Sequence, residues 1–520
     1  MKAYHGSIIT VDPSDSEVAW LVEEEGRIAY IGDTLPSRYA HSEIVELGER
    51  ALCPSFVDTH EHFASFATFN AGLNVMNASS NSIISNRVKE YASECSDQTI
   101  IAFGASPHSV KEGRLITKAE LDAACPDKPV MVVKYDGHAC IVNTALLEKV
   151  AKRIDGLRGF HPDTGEMNQE AFFGVSNYIT GSLSISQLVK NMQRAMDYLA
   201  ERGIGMVHTA SGVGFAGNLD ISLEKWVGKS AQNGFQIRVY PQSMDTRVAV
   251  ERKIPRIGGC FACALDGCFG SIDAAMNEPY AGVDERGVLY YTDEEVITFC
   301  KRANRAGLQI EMHAIGDAAF DQATRAIKAA LDDFPRVDHR HGIIHACLPT
   351  DKGMAICAEY EIQLPMQPSF IDWPQEPNSY LDGILGVRSR RLNPLRELWD
   401  AGITLSSGSD APCTDPNPLL WIQRACNHTD PYMSLSIREA LRMCTYNGYW
   451  TSFDEKERGS LEEGKIADMV VLSANPYKTP VKLLHTLRVE DLILGGSPYQ
   501  PQSQGIARAL ALGIANRAKV

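Results

Sequence analysis

Short apolar runs alternate with helical stretches through the middle of this 520-residue chain, and that alternation leaves few folds open to it. A strand-length run, an amphipathic helix and a second run form a βα unit, and repeated units favour a parallel sheet. The runs are Ala51–Val57, Gly205–Thr209, Gln236–Tyr240, Cys260–Leu265, Gln309–Met312, Gly342–Ile344, Glu361–Pro365 and Ile403–Ser407. Eight such runs predict an α/β fold closed as a distorted (β/α)8 TIM barrel.

The gap after the first predicted strand is far longer than an ordinary βα connection, since it reaches from Val57 to Gly205. It holds a strand-like run, Val130–Tyr135, and a helical run, Ser186–Glu201. We therefore interpret 64–203 as an inserted segment that covers the substrate.

Both ends of the chain have the pattern of β-structure. Strand-like runs separated by turns fill the first fifty residues, and Met469–Leu472 forms a compact strand near the other end. These patterns predict a composite β-sandwich domain from 1–52 and 460–520, with the barrel domain spanning 53–459.

Charge and composition argue against several classes of partner. The chain has 50 Lys and Arg against 65 Asp and Glu, a formal charge of −15, and no dense basic patch for nucleic acid. Its apolar runs are too short to cross a membrane, and its start lacks the pattern of a secretory signal. We expect a cytoplasmic protein whose 13 scattered cysteines are thiols.

Metal-ligand side chains follow four of the predicted strands. The first strand runs into His60 and His62, the fifth ends at His313, the sixth at His345, and the eighth leads to Asp410. In a parallel barrel these positions share one rim, where reactive groups gather. A single histidine is more often a packing residue, but this set, from only 14 histidines, predicts a metal site.

The sequence around these residues resembles the amidohydrolase superfamily of metal-dependent hydrolases. The motifs are PSFVDTHEHF (54–63), EMHAIGDAAF (311–320), GIIHACLP (342–349), SSGSDAP (406–412) and GSLEEGKIADMVVL (459–472). DGHACIVNTALL (136–147) and LDGCFGSIDAAMNEPY (265–280) are similar to its YtcJ-like branch, which includes N-substituted formamide deformylases.

The resemblance implies a role for each of these side chains. His60, His62 and Asp410 would bind one metal ion, with Asp410 also acting as general base. His313 and His345 would bind a second ion. Alternatively, in a site with one ion, His313 would be a ligand and His345 would lie just outside the ligands without contacting the ion. In either case we expect a metal-activated water to attack a carbonyl group.

One position departs from the branch, in which a carbamylated lysine bridges two metal ions. The matching residue here is Ala262. Either Cys263 or Cys260 supplies a thiolate ligand instead, or the site holds a single ion; we favour one ion per chain. Zinc is the first expectation, with manganese or iron as alternatives.

The inserted segment is expected to supply substrate contacts. The resemblance implies that His138 polarises the scissile carbonyl or its oxyanion, and so belongs with Asp410 and His345 among the catalytic residues. We expect Lys134, Tyr135 and Asn143, together with Trp373 after the seventh strand, to contact the substrate.

The function expected from this pattern is hydrolysis of a small molecule at a carbon–nitrogen bond, an amide or cyclic amide. The alternatives are opening of a cyclic 1,3-diketone by carbon–carbon hydrolysis, decarboxylation, and a catalytically silent scaffold. A homodimer is a further expectation.

Overall fold

A computed structural model describes residues 1–95 and 98–501, together with 508, 511, 512 and 515. Most of the predicted terminal domain beyond residue 501 therefore lies outside the described residues. The strands are β1 (Lys2–Ile9), β2 (Glu17–Glu24), β3 (Arg27–Gly32), β4 (Glu43–Pro54), β5 (Phe56–Glu61), β6 (Leu73–Asn74), β7 (Ile100–Ala105), β8 (Val130–Lys134), β9 (Ala139–Val142), β10 (Phe160–His161), β11 (Glu166–Asn168), β12 (Ile204–Ser211), β13 (Gln236–Pro241), β14 (Arg256–Ala264), β15 (Gln309–Ala314), β16 (Gly342–His345), β17 (Leu364–Met366), β18 (Leu405–Ser407), β19 (Met469–Leu472), β20 (Val489–Leu494) and β21 (Ser497–Pro498).

The α-helices occupy the connections between these strands, with several short 3-10 turns. They are α1 (Phe63–Asn70), α2 (Asn81–Glu94), α3 (Lys118–Ala124), α4 (Thr144–Ile154), α5 (Gln169–Ser182), α6 (Ile185–Ala200), α7 (Leu219–Ser230), α8 (Arg247–Glu251), α9 (Asp293–Arg305), α10 (Asp317–Asp333), α11 (Asp351–Glu359), α12 (Asn378–Leu385), α13 (Leu395–Asp400), α14 (Pro418–Cys426), α15 (Ile437–Cys444) and α16 (Tyr446–Thr451). Among the described residues, none of the helices has the length and apolar character needed to cross a bilayer.

Each predicted central strand overlaps a strand of the structure, and these strands pair in parallel. The ladders run β13-β12-β5, β14-β15-β16 and β17-β18, and a single parallel bridge from Gly342 to Gln363 joins the last two. Parallel pairing brings the carboxyl ends of neighbouring strands to one edge. Over the described residues the ladders do not join into one closed sheet, so closure into a (β/α)8 barrel remains a prediction.

The first predicted strand is divided between two sheets. Its beginning, Ala51–Pro54, is the end of β4, which pairs with β19 from the far end of the chain. Only Phe56–Glu61 enters the central ladders as β5. The chain passes from β4 to β5 within two residues. Because the apolar run is continuous across this point, the sequence pattern does not show where one strand ends and the other begins.

Strands from both ends of the chain meet in one seven-stranded sheet. Its order is β21-β20-β19-β4-β1-β2-β3. Every side chain of β19 is buried, which fits its place in the middle of that sheet. The predicted pairing of the termini is thus present as a single sheet, while the β-sandwich itself is not confirmed.

The long gap after β5 contains an α/β layer of its own. Its six strands have the order β10-β11-β9-β8-β7-β6, with α2 to α5 around them. Two apolar clusters form its core, centred on Val130 and Val132 in one and on Val133 and Val150 in the other. Helix α6 instead packs into the large central core through Leu188, among others. All thirteen cysteines of the chain are free thiols.

Candidate metal centre

Four potential ligands converge at the carboxyl edge of the central strands. They are His60 on β5, Cys260 on β14, His345 at the end of β16 and Asp410 after β18. Their ligand atoms all lie within 4.8 Å of one another, and all four residues are buried. Cys260 Sγ lies 3.2 Å from His60 Nε2 and 3.6 Å from His345 Nε2. Asp410 Oδ1 lies 3.2 Å from His60 Nε2.

His62 and His313 flank this four-residue group. His62 Nε2 lies 3.3 Å from Asp410 Oδ1 on one side. The ring centroid of His313 lies 4.5 Å from that of His345 on the other. The structure therefore brings together all five ligands predicted from the sequence and adds the thiol of Cys260.

The backbone holds these side chains at strained positions. His345 has a φ of 72° and Asp410 a φ of 55°, in a region that residues other than glycine seldom adopt. The chain around Asp410 lies directly on β5, because its amide donates a hydrogen bond to the His60 carbonyl at 2.8 Å. Gly408 permits this approach, since a Cβ there would lie 2.6 Å from the His60 nitrogen.

Residues behind the ligands fix their orientation. Gln367 Oε1 accepts a hydrogen bond from His345 Nδ1 at 2.7 Å, and the Gln367 amide group donates to the Pro365 carbonyl. The proton of His345 is therefore on Nδ1, and the lone pair of Nε2 faces the cluster. The Asp58 carboxylate accepts from the amides of His60 and Ser409, which ties β5 to the loop before Asp410.

The electrostatics of the group suit a cation. Burial lowers the pKa of His60 and of His345, so both rings are neutral and keep a lone pair. Burial alone would raise the pKa of Asp410, but the adjacent imidazoles of His60 and His62 outweigh burial and hold that pKa well below its usual value. Burial and the charge of Asp410 raise the pKa of the Cys260 thiol, so a bound cation would be needed to keep it as thiolate.

The donor set passes a simple test for a bound metal ion. Asp410 Oδ1 lies 3.2 and 3.3 Å from the Nε2 atoms of His60 and His62, and His313 Nδ1 lies 3.4 Å from Asp266 Oδ1. None of these contacts has hydrogen-bond geometry, so both atoms are buried without a hydrogen-bond partner in the described structure. Two imidazole nitrogens, a sulfur and a carboxylate oxygen form a set typical of zinc, and one that other transition metals accept. The residues present therefore fit a divalent cation.

An apolar pocket opens over the ligands. Its wall includes His62, His138, His313, Phe370 and Trp373. Burial lowers the pKa of His138, so its imidazole is neutral, and Trp373 packs on Phe370 with ring centroids 4.8 Å apart. Two residues predicted to act on the substrate, His138 and Trp373, are thus part of this wall.

Lys134 and Tyr135 lie behind the wall instead of contacting its interior. Lys134 Nζ pairs with Asp136 Oδ2 at 2.7 Å, and the Tyr135 hydroxyl donates to Glu376 Oε1 at 2.8 Å. Asp136 and Glu376 are the wall residues. The predicted substrate contacts of Lys134 and Tyr135 are corrected accordingly: each supports an acidic neighbour.

Of the two candidate thiolates, Cys260 belongs to the ligand group and Cys263 does not. Cys263 is instead fully buried beside the Ser243 backbone and Cys300. The cause is an irregularity in β14, where the pairing with β15 shifts between Gly259 and Ala264 and Phe261 has a φ of 44°. Spacing along the sequence does not reveal this extra length.

Asn143 was predicted to contact the substrate, and the structure makes it a helix cap. Its side chain accepts hydrogen bonds from the amides of Val130 and Leu146 and donates to the carbonyls of Cys125 and Lys128. All of its polar atoms are therefore occupied, and it is fully buried.

We expect Asn143→Ala to lower the free energy of unfolding by about 1–3 kcal/mol, since it removes a cap and leaves buried backbone groups unpaired. Denaturant unfolding measures this loss. The kcat/KM of the folded variant should equal that of wild type. A fall in kcat/KM without any loss of stability would instead indicate that Asn143 contacts the substrate.

The sequence-based interpretation missed two positioning residues, Gln367 and Asp58. Asp58 stood in the quoted PSFVDTHEHF motif, where its buried strand position was a usable signal. Gln367 had no such sequence signal, because it orients His345 only when β16 and β17 are neighbours.

Comparison with known proteins identifies the family of this chain. A model of the Amidohydrolase family matches residues 43–499, so the chain belongs to that family and is a hydrolase. It is 26% identical to YtcJ of Bacillus subtilis (strain 168), over 95% of this chain and 99% of that protein. It is 24% identical to the N-substituted formamide deformylase of Arthrobacter pascens, over 93% of this chain and 95% of the relative.

A solved structure shares the fold. An uncharacterized metal-dependent hydrolase from Pyrococcus furiosus superposes with a TM-score of 0.73 at 24% identity. The match covers 92% of this chain and 100% of the other. Family membership and the ligand cluster together support a divalent metal ion as cofactor.

Proposed function

We propose that this enzyme hydrolyses a carbon–nitrogen amide bond of a small molecule, with one divalent cation held by His60, Cys260, His345 and Asp410. The observation that carries the proposal is the convergence of these four buried side chains beneath an apolar pocket. Zinc is the preferred ion because of its affinity for thiolate and imidazole, with manganese or iron as alternatives. The proposal includes a distorted (β/α)8 barrel as the scaffold.

When bound, the cation would lower the pKa of a water molecule to about 7 and polarise a carbonyl oxygen. Asp410 lines the pocket and remains ionised, so its carboxylate can accept a proton from the attacking water. The same carboxyl group can then deliver that proton to the departing nitrogen. An amine is a poor leaving group until it is protonated, which makes this transfer necessary for amide cleavage.

His138 would act on the carbonyl oxygen. It lines the same pocket, and as a neutral imidazole it carries one N–H that can donate to the oxyanion. His62 and His313 occupy the two flanks of the ligand group, from which they can orient the substrate or complete the coordination. The aromatic wall excludes water from the developing charges.

The amide proposal has support from one relative, which is named an N-substituted formamide deformylase. The test is a panel of N-acyl amines and cyclic 1,3-diketones assayed with zinc-loaded and manganese-loaded protein. We expect turnover of amides. Turnover confined to the diketones would replace the proposal by carbon–carbon hydrolysis, and a metal-loaded protein inert toward the whole panel would favour a decarboxylase or a silent scaffold.

A further inference from the structure

A second cavity adjoins the pocket over the ligands. The two cavities share the wall residues His62, Asp136, Phe261 and Cys413. Beyond these, the second cavity is lined largely by the inserted segment, from α1 and α5, and by the loop after β12. We call it the phenylalanine chamber, because Phe69, Phe172, Phe173 and Phe215 form much of its wall.

The ring of Phe261 forms the partition between the two cavities. Its centroid lies 4.8 Å from that of His62 and 5.1 Å from that of His138 on the catalytic side. On the other side it lies 5.3 Å from Phe173, which in turn lies 5.2 Å from Phe172. An unbroken series of rings therefore leads from the ligand group into the chamber.

The irregularity of β14 sets this partition. Phe261 follows Cys260 directly and has a φ of 44°. The backbone feature that brings the Cys260 thiol among the histidines therefore also places the next ring against His62. One residue of the ligand group, Cys260, and the residue at the chamber entrance, Phe261, are neighbours in the chain. This adjacency argues that one substrate molecule occupies both cavities.

The polar groups of the chamber define what it would accept. The hydroxyl of Thr68 donates to the Ala64 carbonyl and that of Thr180 to the Gly214 carbonyl, so neither is available as a donor. Ser176 Oγ is a buried atom without a hydrogen-bond partner in the described structure. Asp136, the charged wall residue, is paired with Lys134. Ser65 also lines the chamber, so the cavity suits an uncharged aromatic group with a polar tip.

Building on the proposed function, we infer that the phenylalanine chamber is a specificity site for a bulky aromatic substituent of the amide substrate. In this arrangement the amide bond lies over the ligand group, and the aromatic substituent extends past Phe261 into the chamber. The Ser176 hydroxyl then forms a hydrogen bond with the polar tip of the substituent. An aromatic substituent that leaves water for this chamber should raise kcat/KM by about 10- to 100-fold relative to methyl.

The test compares amides that differ only in a methyl or a benzyl group. One series varies the acyl side and the other varies the nitrogen, so the assay also shows which side enters the chamber. We expect the benzyl-to-methyl ratio of kcat/KM to exceed about 10 for wild type in one series. Ser176→Phe fills the chamber and should bring that ratio close to 1. The matched control, Asn177→Phe, adds the same ring to the exposed neighbour on α5 and should keep the wild-type ratio.

Phe173→Ala provides a second variant that does not depend on overfilling a buried site. It lengthens the chamber, and it should shift the preference from benzyl toward naphthylmethyl amides. An unchanged order of preference in this variant, or equal turnover of methyl and benzyl amides by wild type, would overturn the inference and leave the amide function standing.

Binding of 2-naphthylmethanol separates this inference from the proposed function. Titration calorimetry of the zinc-loaded protein should detect binding to wild type and to Asn177→Phe, and at least tenfold weaker binding to Ser176→Phe. This result would support the chamber even if no amide were hydrolysed. Equal binding to all three proteins would reject it.

Discussion

Asp410→Asn is expected to lower kcat/KM for the amide substrate by about 10²- to 10⁴-fold, the range typical for loss of a general acid–base group. Asparagine keeps the shape of the side chain and one carbonyl oxygen near His60 and His62. It cannot accept the proton of the attacking water or return it to the leaving nitrogen. Steady-state kinetics at saturating zinc measures this loss.

The experiment needs two controls, because Asp410 also belongs to the ligand group. Bound zinc must be measured in the variant, so that loss of the metal is distinguished from loss of the base. Asp415→Asn, five residues along the same loop, alters an exposed carboxylate that pairs with Arg202 and should retain wild-type kinetics. A metal-loaded Asp410→Asn protein with the wild-type rate would remove Asp410 from the mechanism.

The sequence predicted those features of the fold that depend on local pattern. Apolar runs located the central strands, and the residues at or just beyond the carboxyl ends of β5, β15, β16 and β18 were therefore placed at one edge. Convergence of His60, His62, His313, His345 and Asp410 required only that these strands be parallel and have their carboxyl ends at one edge. The family resemblance then predicted metal-dependent hydrolysis, which the order of the strands alone does not indicate.

Features that depend on register or on a distant partner could not be predicted in this way. A shift of pairing within β14 decides between Cys260 and Cys263, and no residue in that run signals it. A polar side chain after a strand can cap a helix or line a pocket, and only the tertiary contacts of Asn143 distinguish the two. Closure of the strand ladders into a barrel likewise depends on hydrogen bonds between strands far apart in the sequence, so local patterns do not predict it.

Cys260→Ala is expected to weaken zinc binding by more than about 100-fold, beyond the loss typical of residues that only support a ligand. Its sulfur lies within 3.6 Å of both His60 Nε2 and His345 Nε2, so alanine would leave a gap at the centre of the group. Chelator competition measures the affinity, and metal analysis should give one zinc per wild-type chain. Two ions per chain would instead indicate that the flanking His62 and His313 also take part in metal binding.

Cys263→Ala is the matched control, because it removes a thiol from the same strand three residues away. That thiol is fully buried outside the ligand group, so the variant should bind zinc within about threefold of wild type and lose some stability from the small cavity. Cobalt substitution gives an independent test. A thiolate-to-cobalt charge-transfer band should appear in wild type and Cys263→Ala and vanish in Cys260→Ala. If the band is absent from wild type, or if Cys260→Ala retains it, the thiolate is not a ligand and the imidazoles with Asp410 must hold the ion alone.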